Sequence, residues 1–287
     1  MSEEVHPRAD ELDELGVLGL VELMHAEDRR AIEAVGQQIA AVAAAVELIT
    51  ERLRSGGRLH YFGAGTSGRL AALDAAECAP TFGIDPSVVE AHAAGDGEAE
   101  DDADLGRELA IRARLDERDA VLAVAASGRT PFVLAAVESA KEAGAFVVGL
   151  SCAPGSPLGA VADVAIEVET GPEVIAGSTR LKAGTVQKTI LNMISTGVFT
   201  RLGHTYRGRM VDVIASNEKL RRRAQRVVSD LASVPAEAAA RALDEAGGSP
   251  KLAIVMLRRR VGLEQARELL QAADGDLGAV MAIEVPS

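Results

Sequence analysis

The chain has 287 residues, a formal net charge of −13, 48% hydrophobic and 25% charged residues, and only seven Phe plus Tyr with no Trp. That length suffices for one large α/β domain with a small appendage and an ample core. The acidic balance and the scarcity of aromatics argue against a nucleic-acid binder, which needs basic grooves and stacking platforms. Any anionic ligand must then be held by local donors rather than drawn in by the overall field. Two cysteines, Cys78 and Cys152, make no disulfide framework and suit a reducing compartment. The first residues lack the basic and apolar regions of a signal peptide. No apolar run is read as approaching the ~20 residues of a membrane span; residues 39–49 come closest, with Glu47 inside them. A cytoplasmic protein is expected.

In chain order, residues 10–54 read as two helices, with Leu12, Leu15, Leu18, Leu20, Val21 and Met24, then Ile32, Val35, Ile39, Val42 and Val46, at helical spacing. Short apolar runs at 59–62, 88–91, 120–126, 146–150 and 164–168 then alternate with helical patterns, which predicts a doubly wound, five-stranded parallel sheet. Residues 180–202 are almost free of helix breakers and apolar on more than one face, so a buried helix is expected there. A further helix is predicted over 211–228. Residues 235–246, 250–259 and 263–272 read as three short helices of a small bundle. The expected organisation is an N-terminal helical segment (1–54), a main domain (55–228) and the C-terminal bundle (229–287).

Two loops carry the chemistry. Gly63-Ala64-Gly65-Thr66-Ser67-Gly68-Arg69 follows the first apolar run and opens a helical pattern. Its glycines permit a tight turn and close approach of a ligand, while Thr66 and Ser67 place hydroxyl donors where the helix begins, an arrangement suited to phosphate. Ala125-Ala126-Ser127-Gly128-Arg129-Thr130-Pro131 repeats the arrangement after the third run. Ligands of open α/β sheets sit beyond the carboxyl ends of the strands, where both loops are expected. Neither is read as a dinucleotide fingerprint, and no Lys follows a glycine as in a P-loop. The reading is a phosphosugar site built on Gly65, Thr66, Ser67, Ser127, Gly128, Arg129 and Thr130.

Glu77 lies ten residues beyond Ser67 and close to Pro80, where the helix is expected to stop. A carboxylate in a last helical turn faces the negative end of the helix dipole, which favours the protonated form that a general acid needs. The alternative is a solvent-facing Glu at a helix end. Asp96, Glu98, Glu100, Asp101, Asp102 and Asp104 precede another helical pattern. They read either as a solvated cap or as a cap with one inward-facing base. Ser178, Arg180 and Lys182 open the long buried helix, where cations oppose the dipole and call for an anion: a substrate phosphate or carboxylate, or a salt bridge to Glu173 or Glu167. Asn217, Glu218 and Lys219 interrupt an otherwise apolar and Arg-rich helix and either line a site or cover the surface. The histidines (His6, His25, His60, His92, His204) show no metal-ligand spacing, so no metal is implied, and His60 reads as structural.

Residues 63–69 with Asp74-Ala75-Ala76-Glu77-Cys78-Ala79-Pro80-Thr81-Phe82-Gly83, residues 125–131, residues 177–184, and Met210-Val211-Asp212-Val213-Ile214-Ala215-Ser216-Asn217-Glu218-Lys219-Leu220 together resemble the bacterial N-acetylmuramic acid 6-phosphate etherases of the sugar isomerase (SIS) domain superfamily. The likeness runs in order from about residue 12 to the C-terminal bundle. It implies an αβα sandwich of SIS type, a homodimer, and no metal or redox cofactor. It also implies a lyase of peptidoglycan recycling that splits the D-lactyl ether of the phosphosugar into N-acetylglucosamine 6-phosphate and D-lactate. In the open-chain sugar the C1 aldehyde acidifies the C2 proton. A carboxylate removes that proton, an acid protonates the departing lactyl oxygen at C3, and water adds to the unsaturated aldehyde. By the same resemblance Glu77 matches the acid and Glu100 the second catalytic glutamate, while Thr66, Ser67, Ser127 and Thr130 fall where SIS domains hold phosphate. A non-catalytic phosphosugar-binding regulator on this scaffold is the alternative, and an aldose–ketose isomerase a third; having both Glu77 and Glu100 favours the lyase. If residues 67–77 form continuous helix, Glu77 lies ~15 Å along the axis from the phosphate loop, about twice the reach of the sugar from phosphate to C3. Either the helix ends early, or Glu77 serves the neighbouring subunit.

Overall fold

The computed structural model describes residues 4–95, 97–213 and 218–282, with the side chain of Lys219 left aside. Five parallel strands form the main sheet: β1 (Leu59–Ala64), β2 (Val89–Ala94), β3 (Ala120–Val124), β4 (Phe146–Ser151) and β5 (Val164–Glu167), in the order β2-β1-β3-β4-β5. Every expected strand is present, and the near-continuous burial of β1, β3 and β4 explains why each reads as an unbroken apolar run. The register sets Gly63 beside Val124 and Phe62 beside His92. Because β1 connects outward on one side to β2 while the chain continues on the other side through β3, the crevice between β1 and β3 is the topological switch point.

The helices in chain order are α1 (Val17–Val35), α2 (Ile39–Arg54), α3 (Gly65–Phe82), α4 (Glu98–Asp101), α5 (Ala103–Ala113), α6 (Pro131–Glu142), α7 (Pro157–Val161), α8 (Lys182–Arg201), α9 (Glu218–Ala232), α10 (Ala236–Glu245), α11 (Pro250–Arg259), α12 (Leu263–Ala272) and α13 (Leu277–Ala282). One face of the sheet packs Phe62, Val121, Ala123 and Val147 against Phe132, Val133, Ala136 and Ala140 of α6 and Ala110 and Ala113 of α5. Helix α8 buries Val186, Ile190, Leu191, Ile194, Val198 and Phe199, as its breaker-free apolar sequence predicts.

Contacts group the chain into two compact units. One comprises Met1–Ala76 with Ser87–Thr196, and the other Glu77–Pro86 with Gly197–Ser287. In the second unit, α9 to α13 enclose Val228, Ala239, Leu243, Ile254, Val255, Leu270, Leu277 and Val280.

Four expectations need correction. Helix α1 begins at Val17, and residues 9–11 form only a 3-10 turn. Helix α3 does not stop before Pro80 but runs to Phe82. Proline lacks the N–H and crowds the carbonyl four residues back, a cost that falls in the final turns, where Gly83 (φ +67°) closes the helix with its N–H on the Ala79 carbonyl. Where a helix was expected over 211–228, residues 211–213 are not helical and the described helix covers Glu218–Ala232; a hairpin of β6 (Thr205–Tyr206) and β7 (Arg209–Met210) precedes the segment. Arg207 and Gly208 both take positive φ, as a tight two-residue hairpin requires. Finally, the helical stretch Val17–Arg54 is, by length and composition, apolar enough to cross a membrane, contrary to the reading that no run approaches that length. Its hydrophobicity is spread across two helices joined by a 3-10 turn, and Leu23, Ala31, Val35, Val42, Ala45 and Ile49 are buried in the fold.

Candidate functional site

The first loop is a direct strand-to-helix turn: β1 ends at Ala64 and α3 begins at Gly65, whose φ of +53° lies in the left-handed region open to glycine. A Cβ on Gly68 would stand 2.7 Å from the Gly63 carbonyl oxygen, so strand and helix are in backbone contact and glycine is required for that approach. The opening N–H groups of α3, which have no partner within a helix, are thereby held at the carboxyl edge of the sheet with the positive end of the dipole. Thr66 is half-buried and Ser67 buried; the Ser67 hydroxyl donates to Gln187 Oε1 at 3.0 Å. Gln187 Nε2 is buried with no partner. Turning that amide over would let Nε2 donate to Ser67 Oγ and free the serine proton for an anion.

The second loop stands beside the first, since β3 is the neighbour of β1. Gly128 takes φ +63° and packs so closely on Ser156 that a Cβ would meet its Cβ at 2.4 Å. The Arg129 N–H donates to Ser127 Oγ at 3.2 Å, leaving the serine proton to donate elsewhere. Thr130 precedes Pro131, the first residue of α6, and makes no side-chain cap bond. Arg129 is exposed. The structure therefore brings Gly65, Thr66, Ser67, Ser127, Gly128, Arg129 and Thr130 together across the β1/β3 switch point.

Glu100 belongs to the same unit. It is half-buried in α4, the short helix that follows β2 on the other side of β1. Its acidic neighbours divide as the capping reading expects: Asp102 accepts from the Leu105 N–H at 2.9 Å and Asp104 pairs with Arg107 at 2.9 Å. Asp96 lies outside the described residues.

At α8 the expected anion is supplied from within. Glu173, buried, accepts from the Lys182 N–H at 3.2 Å and the Ala183 N–H at 3.0 Å. Burial pushes its carboxyl up, against these bonds. Lys182 Nζ is buried on Glu27 Oε2 at 2.7 Å, a partner not foreseen from sequence. Burial alone would raise Glu27 too, but the hydrogen bond and charge of Lys182, with Arg30 and His6, bring it below the usual carboxylate range. Glu167 is occupied elsewhere, accepting from Gly155 N–H, Ser156 N–H and Ser156 Oγ. Ser178 sits half-buried in the turn before the helix. In place of Lys182, it is Arg180, Thr185 and Lys188 that line a cleft of about 420 Å³ with Thr66, Leu70 and Gly184. Lys188 also reaches Asp74, which holds Tyr61 OH at 3.0 Å. Sequence reading missed Lys188 and Gln187. Their spacing in α8, with Gly184 and Thr185 one turn earlier, was the available signal.

Glu77 and Glu218 fall in the second unit. Glu77 is exposed within unbroken α3, ten residues beyond Ser67, so the alternative in which the helix ends early is removed. Glu218 opens α9 and pairs with Arg222 at 2.9 Å. Asn217 lies outside the described residues. Both cysteines are buried and unbridged, and burial, with Glu173 nearby, drives the Cys152 thiol up to about 12, which makes it inert.

Sheet order, switch-point loops and helix layers define a SIS domain, and the SIS domain family model matches residues 22–152. Solved structures of phosphoheptose isomerases share the fold: that from Francisella tularensis superposes with a TM-score of 0.51 at 19% identity, covering 65% of this chain and 100% of its own, and that from Neisseria gonorrhoeae does so with 0.51 at 20%, covering 64% and 100%. Sequence relatives reach much further. The N-acetylmuramic acid 6-phosphate etherase of Rubrobacter xylanophilus is 51% identical over 95% of this chain and 93% of its own length, and that of Geobacillus thermodenitrificans is 46% identical over 96% of each. The chain belongs to the N-acetylmuramic acid 6-phosphate etherase family.

Proposed function

We propose that this protein cleaves the D-lactyl ether of N-acetylmuramic acid 6-phosphate, releasing D-lactate and N-acetylglucosamine 6-phosphate, and that it does so as a homodimer with shared sites. The observation that carries the reading is the pair of hydroxyl-bearing loops at the β1/β3 switch point in a chain half identical to an etherase along almost its whole length.

The phosphate rests on the opening N–H groups of α3 with Thr66, Ser67, Ser127 and Thr130, and Arg180 and Lys188 supply positive charge from the adjoining cleft. Gln187 positions the Ser67 hydroxyl. Glu100, in the short helix α4 that follows β2, removes the C2 proton. Acid help to the leaving lactyl oxygen comes from the partner subunit's Glu77, because ten residues of straight helix put a chain's own Glu77 ~15 Å along the axis from its loop. Ser178 and Lys182 shape the entrance to α8.

The dimer reading is supported by α1. Val17, Leu18, Val21, Met24 and Ile32 are exposed large apolar residues within about 120° of one face at 100° per residue, beside the buried stripe Leu23, Glu27, Ala31 and Val35. A second copy of this chain covers the exposed face of Val17, Leu18, Val21, Met24 and Ile32. Location in the cytoplasm follows from the same reading, since the phosphorylated substrate is an intracellular type of metabolite.

Incubating purified protein with N-acetylmuramic acid 6-phosphate and measuring D-lactate tests the activity; binding without lactate release would favour the regulator. Co-expressing a Glu77→Gln chain with a Ser67→Ala/Ser127→Ala chain tests the shared site. Mixed dimers should regain about a quarter to a half of wild-type activity, since one intact site of two is rebuilt by the chain exchange. No recovery would overturn it.

A further inference from the structure

Among the described residues, one group of three metal-ligating side chains has no part in the etherase reading: His60, Glu90 and His92. We propose that these three form a binding site for a single divalent transition-metal ion of the Zn²⁺ class.

The fold assembles the group through strand register. His60 pairs with Glu90 and Phe62 with His92 across the parallel β1–β2 ladder, so all four side chains share one face of the sheet. His60 Nδ1 lies 3.0 Å from His92 Nε2, and that same His92 nitrogen lies 3.9 Å from Glu90 Oε2. A tetrahedral ion with bonds of 2.0–2.2 Å sets its donors roughly 3.3–3.6 Å apart. The observed separations bracket that value, and an outward shift of one imidazole with an inward swing of the exposed glutamate closes the difference. Two imidazoles and one carboxylate, with a fourth position for water, match the nitrogen and oxygen preference of Zn²⁺ and its neighbours.

The surroundings fit a ligand role for His60 better than a hydrogen-bonded pair alone. Its Nε2 is fully buried without a hydrogen-bond partner and points to Asp119 Oδ2 at 3.9 Å. With Nδ1 on a metal, the proton sits on Nε2 and faces that carboxylate, the outer-shell arrangement that orients metal-bound histidines. Asp119 is itself fixed by Arg58, which donates to Oδ1 from its backbone at 2.8 Å and to Oδ2 from its side chain at 2.8 Å, and by the Asp116 N–H. Arg58 is the cation nearest the group, and Asp119 offsets its charge, leaving Glu90 to favour a dication. Phe62 stacks on His92 at 4.6 Å and fixes its ring. Entry is open from the edge strand, where the His92 and Glu90 side chains are 15% and 37% exposed.

His60 is the second residue of β1, roughly 16 Å by strand rise from the turn at Gly65. The ion is therefore structural: it would clip edge strand β2, which leads into α4 and Glu100, to the strand that carries the phosphate loop.

The test is calorimetric titration of chelator-treated, otherwise intact protein with Zn²⁺, followed by substitution with Co²⁺. One ion per chain is expected, with a rise in Tm and the absorption bands of four-coordinate cobalt. Glu90→Gln should weaken binding at least tenfold and His92→Gln should abolish it, while His25→Gln, at an exposed histidine, changes neither. Circular dichroism and D-lactate release establish that the variants are folded. No uptake by the wild type, or equal uptake by His92→Gln, would overturn the proposal.

Discussion

Helices α3 and α8 both open on segments rich in Gly, Ser and Thr, and their starts meet different fates. At α3, glycine contacts hold the opening N–H groups at the sheet edge beside a cleft. At α8, the corresponding donors are taken by Glu173, and the lysine that follows is locked to Glu27. Composition at a helix start therefore does not distinguish an anion site from a self-capped one. A carboxylate nine residues upstream decides it, by supplying inside the fold the negative charge that α3 leaves to a ligand.

The sharpest way to break that contrast is to remove the internal pair. Glu27→Ala strands the buried Lys182 charge and should cost about 3–5 kcal/mol of stability, read as a lower denaturant midpoint; the KM of the variant that remains folded should not change. Next, Glu173→Ala leaves two buried N–H donors without an acceptor, at about 1–3 kcal/mol each. Added inorganic phosphate should then raise the Tm of this variant more than that of the wild type, because the α8 start has become an anion site. Equal shifts would show that self-capping is not what separates the two helices. At α3 itself, Thr66→Val should raise KM about tenfold, or ~1.4 kcal/mol, with kcat little altered. The smallest effect is in pH. The Glu27 carboxyl is depressed in the fold, so its contribution is complete above its ordinary value of 4.5 and is lost as pH falls through the lower folded value. Denaturant midpoints of wild type and Glu27→Gln should therefore differ above pH 4.5 and converge as the pH is lowered below it.

Much of this was legible because buried parallel strands write themselves as apolar runs, and glycine at a strand-to-helix turn has a steric cause that composition displays. All five strands, the two loops and the buried α8 follow from that. Other features depend on partners distant in sequence. Lys182 finds Glu27 across 155 positions, and His60 finds His92 only because the β1–β2 register places Phe62 beside it. Pro80 was read as a stop because its local penalty is real; a penalty in the last turns is outweighed once Cys78 and Phe82 are buried. The β6–β7 hairpin was marked by Arg207-Gly208, whose positive φ angles suit a tight turn, but strands of two residues carry no periodicity. Helix α13, six residues with Gly278 inside, was equally silent.

The contact between Gly63 and Gly68 has a thermodynamic corollary. With strand and helix backbones touching, the α3 donors are already aimed before any sugar arrives, so little conformational entropy is lost on ordering the loop. Affinity at this cradle then resides mainly in desolvation and charge. Binding heats for free phosphate and for the phosphosugar should share a common increment, and the sugar should contribute its own part separately. Gly68→Ala, which forces the two backbones apart, would convert that preset cradle into one that each ligand must rebuild.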